Sequence, residues 1–167
     1  MWPPLRLAED FATADIVTGG RVVFGVGRGY HTREVETFGS PLLDQTANRD
    51  LFEDQCEIIF KAFSNRSFSH LSAYYQIPPD VPYRGYQLKE ITLVPRPATL
   101  PVDTWQPIVT ASERQINFMV KHGMKGIIGG GAAAGGATDR VMESWRDAHA
   151  KVGIELELGE RLAIGYT

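Results

Sequence analysis

Residues 21–27 read Arg21-Val22-Val23-Phe24-Gly25-Val26-Gly27, a short run rich in β-branched side chains and without alternation of apolar and polar positions. A strand that is apolar on both faces is buried on both faces, which is typical of a parallel sheet. Just before it, a stripe of apolar residues at helical spacing over residues 5–16 ends at Gly19-Gly20. A helix, a tight turn and a buried strand together predict an alternating α/β fold.

The same alternation continues along the chain and is interrupted once. Residues 64–106 hold most of the prolines and many aromatics but no long helical stripe. A stretch of this length with little regular structure is usually functional, or an insertion between core elements. The predicted elements are helices over residues 5–16, 45–63, 113–120 and 139–152, and strands over residues 21–27, 88–94, 107–111, 125–129 and 161–166.

Composition places the chain among ordinary globular proteins. Its 167 residues are 43% hydrophobic and 22% charged, which argues against disorder. Lys+Arg 17 against Asp+Glu 20 gives a net charge of −3, a poor basis for general nucleic-acid binding. A membrane span is not expected, because no apolar run approaches the roughly 18 residues that it needs. The first residues lack the basic and apolar segments of a signal peptide, so a cytoplasmic location is expected.

The end of the first strand is the most informative candidate site. Gly25-Val26-Gly27-Arg28-Gly29-Tyr30 places an arginine among glycines, which let the backbone approach a ligand, and its forked cation suits phosphate. Ligands of α/β proteins bind at the carboxyl ends of the strands. The run is not a dinucleotide fingerprint, because Tyr30 stands where the third glycine belongs. On spacing alone, a tight turn and a phosphate site are equally good interpretations.

Two weaker candidates follow later strands. Residues 129–134 match G-x-G-x-x-A after a predicted strand, but a flexible loop is the better interpretation of a low-complexity run. Ser112 and Glu113 stand at a strand-to-helix turn, where free N–H groups attract anions. Taken alone this is a weak signal for an anion site, because most helix starts are plain N-caps that bind nothing.

The single cysteine and the histidines give no metal or nucleophile pattern. Cys56 lies on the apolar face of a predicted helix without a flanking cation, which indicates a small core residue. The four histidines lack metal-ligand spacing, so no metal site is predicted. His31 follows the glycine-arginine turn and could face a ligand, whereas His122 and His149 are predicted at the surface.

Several pieces in order resemble the bacterial-luciferase-like flavin monooxygenase family. They are AEDFATAD at residues 8–15, GGR at 19–21, FGVGRGY at 24–30 and EVETFG at 34–39, followed by VPRP at 94–97 and QPIVTAS at 106–112. Thr18, Gln106 and Val109 depart from the serine, proline and tryptophan usual in the family. The resemblance spans nearly the whole chain.

The resemblance implies a partial (β/α)8 TIM barrel. Residues 1–167 would form a single partial barrel domain, from the helix after the third strand into about the seventh, with an insertion at roughly residues 64–106 after the fourth strand's helix. Complete barrels typically need about 250 residues. An internal fragment of the barrel is therefore expected, without the family's first three strands or the active-site histidines usually found there, so the catalytic residues stay unknown.

By the same resemblance, the site binds the phosphate of reduced FMN. Arg28, the backbone at Tyr30, and the amides of Ser112 and Glu113 would surround one anion. The flavin would supply the oxygen chemistry, and the protein would hold the ring, exclude water and position a small-molecule substrate. Some members of the family use a deazaflavin for hydride transfer instead, and the sequence does not separate the two.

Three functions compete at this point. The first is a flavin-dependent monooxygenase or a fragment of one, served by a flavin reductase or another supply of reduced flavin. The second is a non-catalytic partial barrel that binds flavin or another anion, or only self-associates. A Rossmann-type nucleotide binder is a poorer third. Because four strands cannot close a barrel, open edges and an apolar face predict a homo-oligomer.

Overall fold

A computed structural model describes residues 2–129 and 136–165 of the chain. Its contacts group the chain into two compact units, Met1–Val22 with Arg28–Val102, and Val23–Gly27 with Asp103–Thr167. The elements in chain order are α1 (Pro4–Thr18), β1 (Phe24–Gly25), α2 (Thr32–Thr37), α3 (Gln45–Ser64), β2 (His70–Leu71), β3 (Gln76–Ile77), β4 (Pro82–Tyr83), β5 (Tyr86–Gln87), β6 (Thr104–Ile108), α4 (Glu113–Lys121), β7 (Lys125–Ile128), α5 (Thr138–Ala150) and β8 (Leu162–Ile164). The predicted single domain over residues 1–167 stays a prediction.

The first unit is built on α1 and α3. Proline occupies the first turn of α1, and Gly19 ends the helix in the left-handed conformation with φ 66°, as the sequence predicts. Asp44 caps α3 by accepting hydrogen bonds from the N–H groups of Thr46 and Ala47. The two helices meet through the rings of Phe11 and Phe63, whose centroids lie 5.4 Å apart.

The inserted region contains two short hairpins that the sequence analysis missed. Strand β2 pairs antiparallel with β3, and β4 pairs antiparallel with β5. The strand predicted at residues 88–94 is wrong, because the only bridge that this segment makes with the described residues joins Ile91 to Phe68. Side-chain contacts attach the region to the helices instead: Arg96 donates from Nη2 to the carbonyl of Phe63 at 2.9 Å.

A buried carboxylate also fixes the end of the insertion. Asp15 of α1 is 1% exposed, and its Oδ2 accepts a hydrogen bond from the N–H of Thr99 at 2.8 Å. Gly20 has φ 79°, and a Cβ there would lie 2.5 Å from Oγ1 of Thr99. The helix, its glycine cap and the end of the insertion therefore depend on one another.

The second unit contains a four-stranded sheet in the order β1-β6-β7-β8, and every neighbouring pair is parallel. This confirms the predicted α/β class with a parallel sheet. The order of these four strands across the sheet is the same as their order along the chain, so the direction of winding does not reverse. A doubly wound nucleotide-binding sheet has a switch point where that direction reverses, and this order contains none.

The predicted strand ends shift by a few residues. Strand β1 covers only Phe24–Gly25 within the predicted run 21–27, and β6 begins at Thr104 rather than at residue 107.

Glycine at position 126 of β7 permits close packing of side chains from the two neighbouring strands. A Cβ there would lie 2.6 Å from Leu162 Cδ2 and 2.7 Å from Ile108 Cδ1.

The two faces of the sheet differ in burial. Thr104, Gln106 and Ile108 of β6 are buried, whereas Pro107 on the opposite face is exposed. Val23, just before β1, is 56% exposed. The prediction that residues 21–27 are buried on both faces is therefore wrong, because one face of the sheet lies open.

Helices α4 and α5 complete the core of this unit. Trp145 of α5 is fully buried and donates from Nε1 to the carbonyl of Glu160 at 3.1 Å. Ile116 and Met119 of α4 and Val141 of α5 are buried as well. Within the described residues, no helix is both long and apolar enough to cross a membrane.

We expect Asp15→Ala to destabilise the chain by about 1–3 kcal/mol, because the N–H of Thr99 loses its acceptor. Urea unfolding followed by tryptophan fluorescence measures the change. Asp10→Ala is the matched control, since Asp10 lies at the surface and faces Arg6 across 3.7 Å, and such exposed pairs are worth at most about 1 kcal/mol. Equal unfolding midpoints for the two variants would contradict the role assigned to Asp15.

Candidate functional site

The turn after β1 is fixed by a glycine. Gly29 has φ 76°, and a Cβ at this position would lie 2.5 Å from Cγ2 of Val35. Any other residue at position 29 would be strained in this backbone conformation, and its Cβ would force Val35 to move. The chain therefore turns sharply immediately after Arg28.

Arg28 is half-buried and held by a buried amide. Its Nη1 donates to Oδ1 of Asn48 at 2.8 Å. Asn48 lies in the first turns of α3, is 1% exposed, and donates its own N–H to the carbonyl of Asp44 at 2.9 Å. The Nδ2 atom of Asn48 is buried and has no acceptor among the residues that the structure describes. An arginine fixed in this way can present its guanidinium to an anion.

Tyr30 and His31 follow the turn at the surface. The Tyr30 side chain is 83% exposed, and its ring lies 4.1 Å from the His31 ring, centroid to centroid. The resemblance implies that the backbone of Tyr30, not its ring, contacts the anion. That assignment stays a prediction.

Ser112 and Glu113 occupy the start of α4 in the second unit. Ser112 is the N-cap residue but makes no side-chain capping hydrogen bond, and its N–H donates to the carbonyl of Thr110 at 2.8 Å. The carboxylate of Glu113 lies 3.9 Å from Nζ of Lys151. An anion at this turn would therefore use N–H groups beyond that of Ser112. Whether these residues share an anion with Arg28 stays a prediction.

The glycine-rich run falls mostly outside the described residues. Of the predicted run 129–134, the structure describes only Gly129. Helix α5 begins at Thr138, with Ala137 as the N-cap residue, so it starts one residue before the predicted residue 139.

Side chains of α3 and of the insertion form a hydrogen-bonded network in the first unit that the sequence did not predict. Nε2 of His70 lies 2.8 Å from Oδ1 of Asp54, and Nδ1 lies 3.2 Å from Nζ of Lys61. Ser72 donates from Oγ to the second oxygen of Asp54 at 2.7 Å. Both ring nitrogens are engaged, so the network attaches the insertion to α3. Among the described residues, no group of three His, Cys, Asp or Glu side chains could hold a metal ion.

The surface position predicted for His149 is wrong. It is 1% exposed, with its ring 4.6 Å from that of Trp145, centroid to centroid, and its Nδ1 lies 3.0 Å from the Trp145 carbonyl. Its neighbours in sequence are charged, but its own position falls on the buried stripe of α5. The charged neighbours therefore misled the sequence analysis, and the helical period was the better signal.

Each unit has a surface cleft, and Arg28 is not among the lining residues of either one. One, of about 240 Å³, lies within the insertion beside His70, and the other, of about 320 Å³, lies between α4 and α5 beside Glu113. The first is smaller than most ligand sites, which typically begin at about 300 Å³. The second is bordered by the charged groups of Glu113, Asp147 and Lys151.

Comparison with known proteins gives three findings. The family model described as luciferase-like monooxygenase matches residues 1–166. A Sinorhizobium fredii protein named "Uncharacterized protein y4vJ" is 33% identical over 79 residues, which cover 47% of this chain and 22% of that protein. Solved structures of monooxygenases are similar over almost the whole of this chain.

Two of those structures illustrate the fold. The first is monooxygenase RslO1 from Streptomyces bottropensis, with a TM-score of 0.78, 17% identity, and coverage of 98% of this chain and 45% of that one. The second is the oxygenating constituent of 3,6-diketocamphane monooxygenase from Pseudomonas putida, in complex with FMN, with a TM-score of 0.73, 16% identity, and coverage of 98% and 44%. The chain spans less than half the length of either structure and shares the fold of that part.

We expect Cys56 to react slowly with a disulfide reagent at pH 8. Burial, with smaller contributions from the charges of Glu53 and Glu57, raises the pKa of the Cys56 thiol from 9.0 to about 12. The folded state therefore favours the neutral thiol. Its contribution to stability is complete below pH 9 and is lost as the pH rises from 9 towards 12.

Absorbance of the released thiolate measures the reaction rate. The same chain in guanidinium chloride is the control and should react at once, because the unfolded thiol is exposed. A native chain that reacts as fast as the unfolded one would contradict the buried position of Cys56.

Proposed function

Because this chain belongs to the luciferase-like monooxygenase family, we propose that it supplies the phosphate anchor of a flavin-dependent oxidoreductase that uses reduced FMN and molecular oxygen on a small organic substrate. The single observation that carries the proposal is the fixed guanidinium of Arg28, which donates to Asn48 at 2.8 Å. The FMN complex of the similar Pseudomonas putida protein supports the choice of cofactor.

The residues around Arg28 fit a phosphate group. The guanidinium is half-buried, which strengthens its interaction with an anion relative to bulk water. Its planar fork matches two oxygens of one phosphate. The buried amide of Asn48 orients the fork without adding a negative charge of its own. We assign Arg28 to the phosphate, with the backbone N–H of Tyr30 as a further donor.

The start of α4 is the second proposed donor site. We propose that N–H groups at Ser112 and Glu113 contribute to anion binding, as helix N-termini do. The Ser112 N–H donates to Thr110 in this structure, so its participation requires that bond to be exchanged for one to the ligand.

Reduced flavin, when bound, supplies the reaction with oxygen, chemistry that no side chain provides. The part proposed for this chain is to hold the phosphate. The phosphate contact does not discriminate FMN from a phosphorylated deazaflavin, because those molecules differ in the ring. Both cofactors therefore belong in the binding experiment. A flavin reductase or another source of reduced flavin is the proposed supply.

We further propose that the open face of the sheet mediates self-association. Pro107 and Ile127 are register partners on this face, and Ile127 is 37% exposed. Val109, one residue past β6, is 69% exposed. Lys125 marks the other end of the face, where its Nζ pairs with Asp103 at 2.9 Å. Exposed apolar surface with open strand edges favours association with another chain.

We expect Arg28→Ala to weaken FMN binding by about 10- to 100-fold, because a charge-assisted contact is lost. Arg28→Lys should recover only part of the affinity, since lysine lacks the fork. Quenching of flavin fluorescence measures binding of FMN, a phosphorylated deazaflavin and riboflavin. Arg6→Ala is the control, because Arg6 lies on the surface of α1 beside Glu9.

Riboflavin, which has no phosphate, should bind wild type and Arg28→Ala alike. If FMN also binds the two proteins alike, Arg28 is not the anchor. Turnover is then measured with NADH and a flavin reductase: oxygen uptake that depends on an organic substrate supports the oxygenase, and flavin binding without turnover supports the non-catalytic alternative.

For the open face, we expect Ile127→Lys to weaken self-association about tenfold or more, because a charge would replace an apolar contact. Light scattering across micromolar concentrations measures the apparent mass. Val152→Lys is the control, since Val152 is 60% exposed just after α5 and does not belong to the sheet. A wild-type chain that stays at 18.5 kDa at every concentration would contradict this proposal.

A further inference from the structure

The side chain of Asn48 is buried, and only one of its two polar atoms has a hydrogen-bond partner among the described residues. Its Oδ1 accepts from Nη1 of Arg28 at 2.8 Å. Its Nδ2 is buried and finds no acceptor within the described part of the chain. A guanidinium only donates hydrogen bonds, so the oxygen end of the amide faces Arg28.

An amide in this position carries a cost that an apolar residue would avoid. A buried donor without a partner loses its hydrogen bonds to water and regains none. Leucine has nearly the same size and would place no unpaired donor of its own in the core, although Arg28 would lose this acceptor. The oxygen end of Asn48 is therefore the reason for an amide here, and that oxygen contacts Arg28.

We propose that Asn48 is a positioning residue that sets the guanidinium of Arg28 for the phosphate of the flavin. This inference rests on the proposed function of Arg28 as the phosphate anchor. Asn48 acts through Arg28 and makes no contact with the ligand, since its side chain is 1% exposed.

The support for Asn48 is rigid. Helix α3 is 20 residues long, and its first turn is closed by Asp44, whose Oδ1 accepts from the N–H groups of Thr46 and Ala47 at 3.0 and 2.9 Å. A long flexible side chain loses conformational freedom when it binds a ligand, and holding it in place beforehand reduces that loss. The capped helix fixes the position of Asn48, and the hydrogen bond to Asn48 fixes the direction of the Arg28 guanidinium.

The neutrality of the amide matters as much as its position. A carboxylate at residue 48 would also accept from Arg28, but its negative charge would compete with the phosphate for the guanidinium. An amide oxygen accepts a hydrogen bond from the cation without adding a negative charge beside it. Asn48→Asp and Asn48→Leu therefore test two separate properties, neutrality and the hydrogen bond.

The experiment titrates FMN and riboflavin into the full chain, four single variants and one double variant. We expect Asn48→Leu to weaken FMN binding about tenfold while riboflavin binding and the melting temperature do not fall. Asn48→Asp should also weaken FMN binding and spare riboflavin. Gln106→Met is the matched control: Gln106 is likewise buried with an unpaired side-chain atom, but lies in β6, and FMN affinity should not change.

Arg28→Ala completes the set and separates the two proposals. In the Arg28→Ala background, Asn48→Leu should have no further effect on FMN affinity, because the residue acts only through the arginine. If Arg28→Ala alone leaves FMN affinity unchanged, the anchor and the positioning role both fall.

If Arg28→Ala weakens FMN binding and Asn48→Leu does not, the positioning role alone falls. Equal losses for FMN and riboflavin would show that Asn48 is merely structural and would overturn it too. If Asn48→Leu does not fold, Asn48→Asp decides: unchanged FMN affinity in that variant overturns the proposal.

Discussion

The parallel pairing of β1 with β6 is the constraint on which the organisation of the chain depends. Phe24 is opposite Thr104 and Gly25 opposite Trp105, so two strands far apart in sequence lie side by side. The chain between them must leave the sheet after β1 and return to it before β6. Such a long closure is entropically costly, but the cost grows only slowly with length, which allows the intervening chain to carry hairpins of its own.

The returning segment is held by contacts within the first unit. Asp15 binds the N–H of Thr99, and Arg96 binds the carbonyl of Phe63. Neither contact was predicted from the sequence. Asp15 was noted only as part of a helix motif, and Arg96 only as part of a motif with proline on both sides. Asp15 satisfies an N–H group of irregular chain, and Arg96 satisfies a carbonyl in the last turn of α3, where helix carbonyls lack a partner within the helix.

Buried polar atoms without partners differ in what the rest of the same side chain contacts. Asn48 contacts Arg28, which stands among glycines at the end of a strand, so its unpaired Nδ2 accompanies a role for its oxygen. Nothing in the structure explains the unpaired Oε1 of Gln106. The difference shows why an unpaired atom alone does not mark a site and why its other contacts decide.

The sequence by itself determined the α/β class, the approximate extents of α1 and α3 and the chain order of the four strands of the parallel sheet, because these follow from local spacing and glycine conformations. The role of Arg28 as an anion anchor stays a prediction. Tertiary structure alone decided the rest. Asn48 is one polar residue near a helix start in the sequence, yet it accepts a hydrogen bond from Arg28. Asp54 and His70 are likewise separated along the chain, yet their side chains lie within hydrogen-bond distance. The open face that leaves Val23 exposed was likewise invisible in its apolar run. Burial and pairing across the chain depend on which segments meet in space, and local sequence does not encode that.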